Sequence, residues 1–547
     1  MASLHFKGKS AVWNHHLSVP YHTLEKDKDS SINGDGDVEN LIVEGDNLIA
    51  LKALLPKYQN RVKCIYIDPP YNTGNEGWVY NDNVNNPLIN TWVGQTVGKE
   101  GEDFTRHDKW LCMMAPRLKL LRELLSDDGV IFVSIDDNEV GNLRVLMEEC
   151  FPSGFISQMS WKGKQGAEDD TYYRILHEHI LVFAKNKDRF VSGKDVNEQT
   201  YPKFDPIKQR NYKTQLLRKW GNNSRRQDRP KLFYSIQDDS GVEFFPMLPD
   251  GTEGCWRWGK ETMQKAIEEG LVEFSSGRNG RKEAYEKIYE PSQDEEANTK
   301  KYNTWLDDCG TTSDGTEEIM SLFEGVKIFN YPKPSTLIKK LIKMSGAKND
   351  AIILDSFAGS GTTAQAVLEL NKEDEATRKF ILIQIQEQIQ EGKPAHDAGY
   401  KWVHEITRER VKRVVIANEQ DTGFSYFKLG SPIDAENILS GNLPSYNEFA
   451  KYVYYLATGR SLEAESKIRQ KDYFVGSENG ESVYLLYNDN IEELKKLAIT
   501  LDWAKKAHEK DSGRKVVYAP ACYLDEDHLA QFNIVFVGIP YNLFERV

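Results

Sequence analysis

The chain has 547 residues, of which 39% are hydrophobic and 28% charged, and its formal net charge is −14. That length calls for more than one domain, with three a natural number, and the composition is that of an ordinary soluble protein. No apolar run approaches the length needed to cross a bilayer, and a net acidic chain holds nucleic acid only where its charge is locally reversed.

Residues 1–40 are polar, end in Asn33-Gly34-Asp35-Gly36-Asp37, and read as an arm followed by a turn. Met1 to Ser10 lacks the apolar core of a signal peptide, so a cytoplasmic location is expected. His15, His16 and His22 have no metal-ligand spacing, and no metal is expected anywhere in the chain. Asn40 to Tyr71 reads strand, helix, strand: Leu41-Ile42-Val43, then Leu48, Leu51, Leu54 and Leu55 at helical spacing, then Cys64-Ile65-Tyr66-Ile67. This βαβ unit ends in Asp68-Pro69-Pro70-Tyr71, at the carboxyl end of a strand, where open parallel sheets bind ligands.

Residues 72–107 form a long connection rich in Asn and Gly, a length usually tied to function or mobility. A helix is predicted over Lys109–Leu125, a strand over Val130–Ile135 and a further helix to about Cys150. Residues 160–325 lose the βα alternation and read as an inserted domain, with a strand at His177–Phe183 and an exposed acidic stretch at Gln293–Lys301. Alternation returns with a helix at Thr336–Met344, a buried strand at Ile352–Leu354, a helix at Thr362–Leu370, a strand at Phe380–Ile385 and a charged helix at Glu405–Ala417. Residues 430–547 read as a small α/β accessory domain: strand Ser482–Tyr487, helix Ile491–Ala507, then strands Lys515–Ala519 and Ile534–Val537. The domains expected are therefore an arm (1–40), a first catalytic part (41–160), an insert (161–325), a second catalytic part (326–429) and the accessory domain (430–547).

Two loops carry chemistry. The strand at 352–354 runs into Asp355-Ser356-Phe357-Ala358-Gly359-Ser360-Gly361-Thr362-Thr363, where the glycines let backbone approach a ligand closely. A phosphate-binding P-loop needs lysine after its last glycine, and Gly361 is followed by Thr362. A plain sheet-edge turn is the alternative for this loop alone. In the other loop, the Asp68 carboxylate and the Pro69 carbonyl are acceptors for the two N–H bonds of an exocyclic amine. Pro69 and Pro70 stiffen the loop beforehand. The ring of Tyr71 offers a stacking face for a base taken out of a duplex. An ordinary proline turn is the alternative here, and finding both loops on separate strand ends weighs against both alternatives.

Lys208–Lys231 holds nine Lys/Arg against Asp228 alone, a local charge of 9 − 1 = +8. Lys208, Arg210, Arg218, Lys219, Arg225, Arg226 and Arg229 are the candidate DNA contacts, with Tyr212 and Trp220 interleaved as flat faces. A solvated surface loop is the alternative. The six cysteines form no Cys-x-x-Cys pair and none follows a proline, so neither a zinc site nor a cytosine-C5 nucleophile is expected.

With these motifs in hand, residues 40–430 resemble the modification subunit of type III restriction–modification systems, a beta-class DNA adenine-N6 methyltransferase. The resemblance runs through Gly45-Asp46-Asn47, Ile65 to Gly74, Ser134-Ile135-Asp136-Asp137 and His177-Glu178-His179-Ile180. It continues through Asn223-Ser224-Arg225-Arg226, Arg229-Pro230, Trp256 to Lys260, Tyr331-Pro332-Lys333-Pro334 and the Phe357 loop. The catalytic loop precedes the glycine loop, the permuted order of that class. It implies a Rossmann-like α/β methyltransferase fold with an inserted target-recognition domain.

It also implies S-adenosylmethionine as the cofactor. Asp68, Pro69, Pro70 and Tyr71 would be catalytic, with Asp68 also facing the donor. Asp355, Phe357, Gly359, Ser360, Gly361 and Thr362 would line the donor. Lys333, Pro334 and Thr336 would border its methionine end, and Asp46 would approach its adenine ring. An acidic residue usually follows to bind the ribose; here the aligned residue is Gln384, with Glu387 three further on. Double-stranded DNA, a second copy of the chain and an ATP-dependent restriction helicase are the implied partners. Cytosine-N4 or RNA methylation, or a scaffold that guides a restriction helicase through residues 430–547, are the alternatives.

Overall fold

A computed structural model describes residues 4–32, 39–73, 103–166, 172–196, 200–276, 281–290, 299–418, 422–433, 438, 443–458, 460, 462 and 465–539. The Asn33–Asp37 turn, most of the long 72–107 connection and most of the acidic Gln293–Lys301 stretch lie outside the described residues. Residues 194–301 form one compact unit, and residues 1–193 with 302–547 form the other.

The larger unit is organised by a ten-stranded sheet. In chain order its strands are β1 (Tyr21–Ile32), β2 (Leu41–Glu44), β3 (Val62–Ile67), β4 (Leu125–Ile135), β5 (Phe155–Trp161), β6 (Glu178–Ala184), β7 (Trp305–Leu306), β8 (Ile352–Asp355), β9 (Lys379–Gln384) and β10 (Phe424–Ile433). They lie in the order β1-β10-β2-β9-β8-β3-β4-β6-β5-β7. The run from β10 to β4 is parallel, while β1 and β6 pair antiparallel with β10 and β4.

Side chains along these strands alternate between two cores, as the period of two demands. Ile65 and Ile67 face helices 47–58, 103–124 and 140–150, whereas Cys64 and Tyr66 face helices 335–344, 362–374 and 403–417. Leu354 and Ile353 divide in the same way. Near-continuous apolar strands buried on both faces are the signature of such a parallel sheet. From β3 the chain moves on to neighbouring β4; from β8 it moves to neighbouring β9, on the opposite side. The crevice between the ends of β3 and β8 is therefore a topological switch point, the place where open α/β sheets bind ligands.

Three expectations are corrected. The arm is partly structured: β1 pairs with β10, Leu24 opposite Leu429, because alternating residues from Tyr21 to Leu24 pack inward. Residues 155–193 and 302–325, read largely as insert, belong to the larger unit. They form antiparallel strands β5 and β6, short β7 and the helix Thr312–Leu322, so the break in βα alternation marks a change of strand direction. The helix expected over Ile491–Ala507 is two helices, Ile491–Leu494 and Leu501–Lys510.

Beyond β10 the chain forms a four-stranded sheet, in chain order Phe474–Glu478, Glu481–Leu485, Arg514–Ala519 and Ile534–Gly538. The helix Tyr446–Thr458 joins it to the rest of the larger unit: Tyr452 stacks on Tyr21 at 4.5 Å, and Tyr455 donates to Glu123 at 3.3 Å.

The smaller unit has its own core, including Leu217, Trp256, Met263 and Ala284, under an antiparallel sheet ordered 272–276, 282–289, 210–216 and 203–205. The indole of Trp256 is fully buried and donates to the Tyr234 carbonyl at 2.8 Å.

Candidate active site

Asp68 begins the loop at the end of β3, and Asp355 ends the neighbouring strand β8. A cavity of about 1310 Å³ opens beside the loops that follow these two strands. Of the residues expected at the site, Asp68, Pro69, Pro70, Tyr71, Lys333, Phe357, Gly359 and Gln384 border it.

The Asp68 loop is held from several directions. The buried indole of Trp110 donates to the Pro70 carbonyl at 2.7 Å, and Pro69 borders the cavity. Next along the chain, Asn72 is buried with φ +59 and donates to Glu139. That carboxylate is itself fully buried and is also held by His107 at 2.5 Å and Asn142 at 2.9 Å.

A tight cluster forms around Asp68. The Tyr71 hydroxyl lies 2.8 Å from Asp68 Oδ1 and 2.8 Å from Glu178 Oε2. The Lys333 ammonium donates to Asp68 Oδ2 at 2.8 Å and to the Tyr71 oxygen at 2.9 Å, and lies 3.3 Å from Glu178. Burial, reinforced by both carboxylates, pushes the Tyr71 phenol well above its ordinary value, so it keeps its proton. Burial works against the charge on Lys333, but Asp68 and Glu178 more than offset it and hold the ammonium above its usual range. Lys333, expected at the methionine end of the donor, borders the cavity with its ammonium on the Asp68 carboxylate.

The glycine loop is shaped by hydrogen bonds that turn several expected ligands inward. Asp355 does not border the cavity: it accepts from the Phe357 N–H at 3.0 Å and the Thr363 hydroxyl at 2.6 Å. Burial pushes its carboxyl up to about 7 against those two hydrogen bonds. Ser360 and Thr362 point away too, each receiving the buried guanidinium of Arg410, at 2.6 and 2.7 Å. Gly361 takes φ +87 and would crowd the Thr407 carbonyl if it carried a Cβ.

Asp46 caps the helix Asn47–Tyr58, accepting from the Leu48 N–H at 2.8 Å, and pairs with buried Arg117 at 3.2 Å. Pro334 precedes the helix Ser335–Met344, and the Thr336 hydroxyl donates to the Cys309 carbonyl at 2.6 Å. Asp46, Pro334, Thr336 and Gly361 do not border the cavity.

Gln384 is buried, and its side-chain oxygen accepts the Gly359 N–H at 2.7 Å. Glu387 borders the same cavity, and burial alone raises its carboxyl above the ordinary value. Glu178, Glu139, His107, Arg117 and Arg410 were not singled out as site residues. The one legible signal was a charged residue at the start of an apolar strand, Glu178 in His177-Glu178-His179-Ile180. Among the described residues no group of His, Cys, Asp and Glu could hold a metal ion, and all six cysteines are free.

In the smaller unit the basic stretch divides. Arg218 is buried and bidentate with Glu283 at 3.0–3.2 Å, and Tyr212 is buried with its hydroxyl donating to Glu273 at 2.7 Å, so neither faces a ligand. Arg210 donates to the Glu290 carbonyl at 2.5 Å. Arg226 pairs with Glu253 at 2.9 Å and lies over the Phe233 ring. Lys208 lies over the Tyr289 ring at 5.2 Å, and Lys219 is half-buried. Trp220 is 76% exposed, and Arg225 and Arg229 are exposed.

Residues 62–393, well over half of the chain, match the N6_N4_Mtase family, described as DNA methylase. The chain is 36% identical over 409 residues to the type III restriction–modification enzyme EcoPI Mod subunit of Escherichia phage P1, covering 69% of this chain and 62% of that protein. It is 34% identical over 438 residues to the StyLTI Mod subunit of Salmonella typhimurium strain LT2, covering 76% and 62%. With the type II methyltransferase M.KpnI of Klebsiella pneumoniae it shares 32% identity over 400 residues, covering 70% and 89%. The chain thus spans less than two thirds of the two Mod subunits and most of the type II enzyme. It belongs to the N6_N4_Mtase family of DNA methylases.

Proposed function

We propose that the chain transfers a methyl group from S-adenosylmethionine to N6 of adenine within a short DNA sequence, as the modification and recognition component of a restriction–modification system. The observation that carries this reading is that the Asp68 loop and the Phe357 glycine loop, on neighbouring strands β3 and β8, border one cavity.

The residues present fit the donor. Gly359 has φ +53, and a Cβ there would meet the Phe329 ring at 3.3 Å, so the loop offers bare backbone beside the cavity. Phe357 offers an aromatic face, and the Glu387 carboxylate is a natural acceptor for ribose hydroxyls. Gln384 acts indirectly, because its oxygen already holds the Gly359 N–H. Asp355 and the Arg410–Ser360–Thr362 contacts set the shape of the loop. S-adenosylmethionine supplies a methyl group on a sulfonium sulfur, which keeps the bonding pair as the methyl leaves.

The protein's part is positioning and electrostatics. Adenine N6 is a poor nucleophile because its lone pair is delocalised into the ring. Acceptance of its two N–H bonds by Asp68 and the Pro69 carbonyl localises that pair and aims it at the methyl carbon. As the N–C bond forms, the surplus proton leaves nitrogen through the Asp68 carboxylate. The target base must leave the duplex to reach this cavity, and the aromatic face of Tyr71 is a platform for it.

In this reading the unit of residues 194–301 reads the target sequence, with Trp220, Arg225 and Arg229 its exposed contacts. Residues 430–547 are an accessory domain, and the enzyme works as a cytoplasmic dimer with a restriction helicase as partner. The Mod names of two relatives support the restriction–modification setting. Among the described residues no helix is long and apolar enough to cross a membrane.

The test is expression of wild type and Asp68→Ala in a methylation-deficient host, followed by single-molecule, modification-sensitive sequencing of both genomes. N6-methyladenine at one short motif, absent from the variant, is the expected result. N4-methylcytosine would overturn the choice of base, and modification surviving in Asp68→Ala would overturn the catalytic assignment.

A further inference from the structure

Asp68 as it stands is engaged on both carboxylate oxygens. Tyr71 occupies one carboxylate oxygen and Lys333 the other, at 2.8 Å each. A carboxylate engaged in this way is a weak acceptor for an incoming amine. The structure also contains the group that relieves it. Glu178, the first residue of β6, lies 2.8 Å from the Tyr71 hydroxyl and 3.3 Å from the Lys333 ammonium. A phenol has one proton to donate, so Tyr71 hydrogen-bonds Asp68 or Glu178 but not both at once.

We propose that Glu178 is a positioning residue for methyl transfer, the alternative partner that holds Lys333 and accepts the Tyr71 hydroxyl's hydrogen bond so that Asp68 is open to the target amine. This inference rests on the methyltransferase reading above. Two carboxylates and one ammonium leave the cluster with one net negative charge. During transfer, positive charge leaves sulfur and develops on N6, beside Asp68. A fixed negative charge at that point stabilises the developing cation, and the half-buried setting limits screening by water. Without Glu178 the cluster would be neutral and Lys333 would have Asp68 as its one carboxylate there.

The experiment measures single-turnover transfer of labelled methyl from saturating S-adenosylmethionine to unmethylated genomic DNA. Glu178→Gln should slow transfer about a hundredfold, the usual effect of losing one preorganised electrostatic contact, and Glu178→Asp, which keeps the charge, should recover most of it. The double variant Glu178→Gln/Lys333→Met restores one net negative charge and should be roughly tenfold faster than Glu178→Gln alone. A structural role for Glu178 predicts the opposite, since removing a second member of the cluster would then do further harm. Donor affinity, read by calorimetry with S-adenosylmethionine, reports whether each variant is folded. Should Glu178→Gln not fold, Glu178→Ala with and without Lys333→Met is read in the same way. A wild-type rate in Glu178→Gln, or a double variant no faster than the single, overturns the inference. Asp68→Ala run alongside separates the two levels: a dead Asp68→Ala beside a fully active Glu178→Gln sinks the role of Glu178 alone, whereas an active Asp68→Ala sinks the reaction on which it rests.

Discussion

The hydroxyl of Thr363, in the first turn of the helix after the glycine loop, donates to the buried carboxyl of Asp355 at 2.6 Å. Together with the Phe357 N–H, that bond ties the end of β8 to the helix Thr362–Asp374 and fixes the turn between them. In the proposed reading Asp355 acts on the donor site through the loop's shape.

This arrangement has a pH signature. Burial raises the Asp355 carboxyl to about 7, so the folded state holds its proton more tightly than the unfolded chain does. Stability from that proton is fully present below the ordinary aspartate value near 4 and is lost as pH rises through about 7. Wild type should therefore lose stability relative to Asp355→Asn by up to about 1.4 kcal/mol per pH unit between pH 5 and 7, then run parallel to it. Urea unfolding of both proteins across that range is the measurement, and a constant difference would mean that Asp355 ionises as an exposed carboxylate does.

Gly359 should tolerate no side chain. Its φ of +53 costs a non-glycine residue about 1–2 kcal/mol, and a new Cβ would press on the Phe329 ring. Gly359→Ala should weaken donor binding about tenfold while the protein stays folded. Titration calorimetry checks this, and unchanged affinity would place the donor elsewhere.

Glu387 and Gln384 should separate by pH. If Glu387 accepts ribose hydroxyls, donor affinity should fall as pH drops through its raised carboxyl value, and Glu387→Gln should remove that dependence. Losing a hydrogen bond to a charged group costs about 1.5–3 kcal/mol, or roughly ten- to a hundredfold in affinity. Gln384→Ala should lower affinity at every pH, because it releases the Gly359 N–H. The same pH profile in wild type and Glu387→Gln would count against Glu387.

The arginines of the smaller unit should divide by burial. Arg218→Ala removes the buried partner of half-buried Glu283 and should destabilise the unit by about 1–3 kcal/mol. Arg229→Ala should leave stability within about 0.5 kcal/mol and reduce the salt dependence of DNA binding by about one unit of slope. Chemical unfolding and a salt titration of binding distinguish the two effects; an unaltered slope would remove Arg229 from the phosphate contacts.

Much was legible in the amino-acid sequence. Apolar runs marked β2, β3, β8 and β9, since a strand buried on both faces must be apolar throughout. The two loops were legible because proline, glycine and aspartate restrict backbone geometry locally. Local composition could not show which side chains those loops turn outward. Asp355, Ser360 and Thr362 look like ligands in a motif, but Thr363 and Arg410 draw them inward. Arg218 and Arg229 are alike in a charge count, and only the opposing Glu283 makes one of them structural.

What the sequence determined by itself is the order of strands and loops, their backbone geometry and the chemical groups they carry. What only the tertiary structure decided is which distant groups meet. Lys333, 265 residues from Asp68, and Glu178, 107 residues from Tyr71, converge on one cluster because β3, β6 and the start of the helix Ser335–Met344 come together at one end of the sheet. Charge interactions depend on distance in space, and sheet order sets that distance.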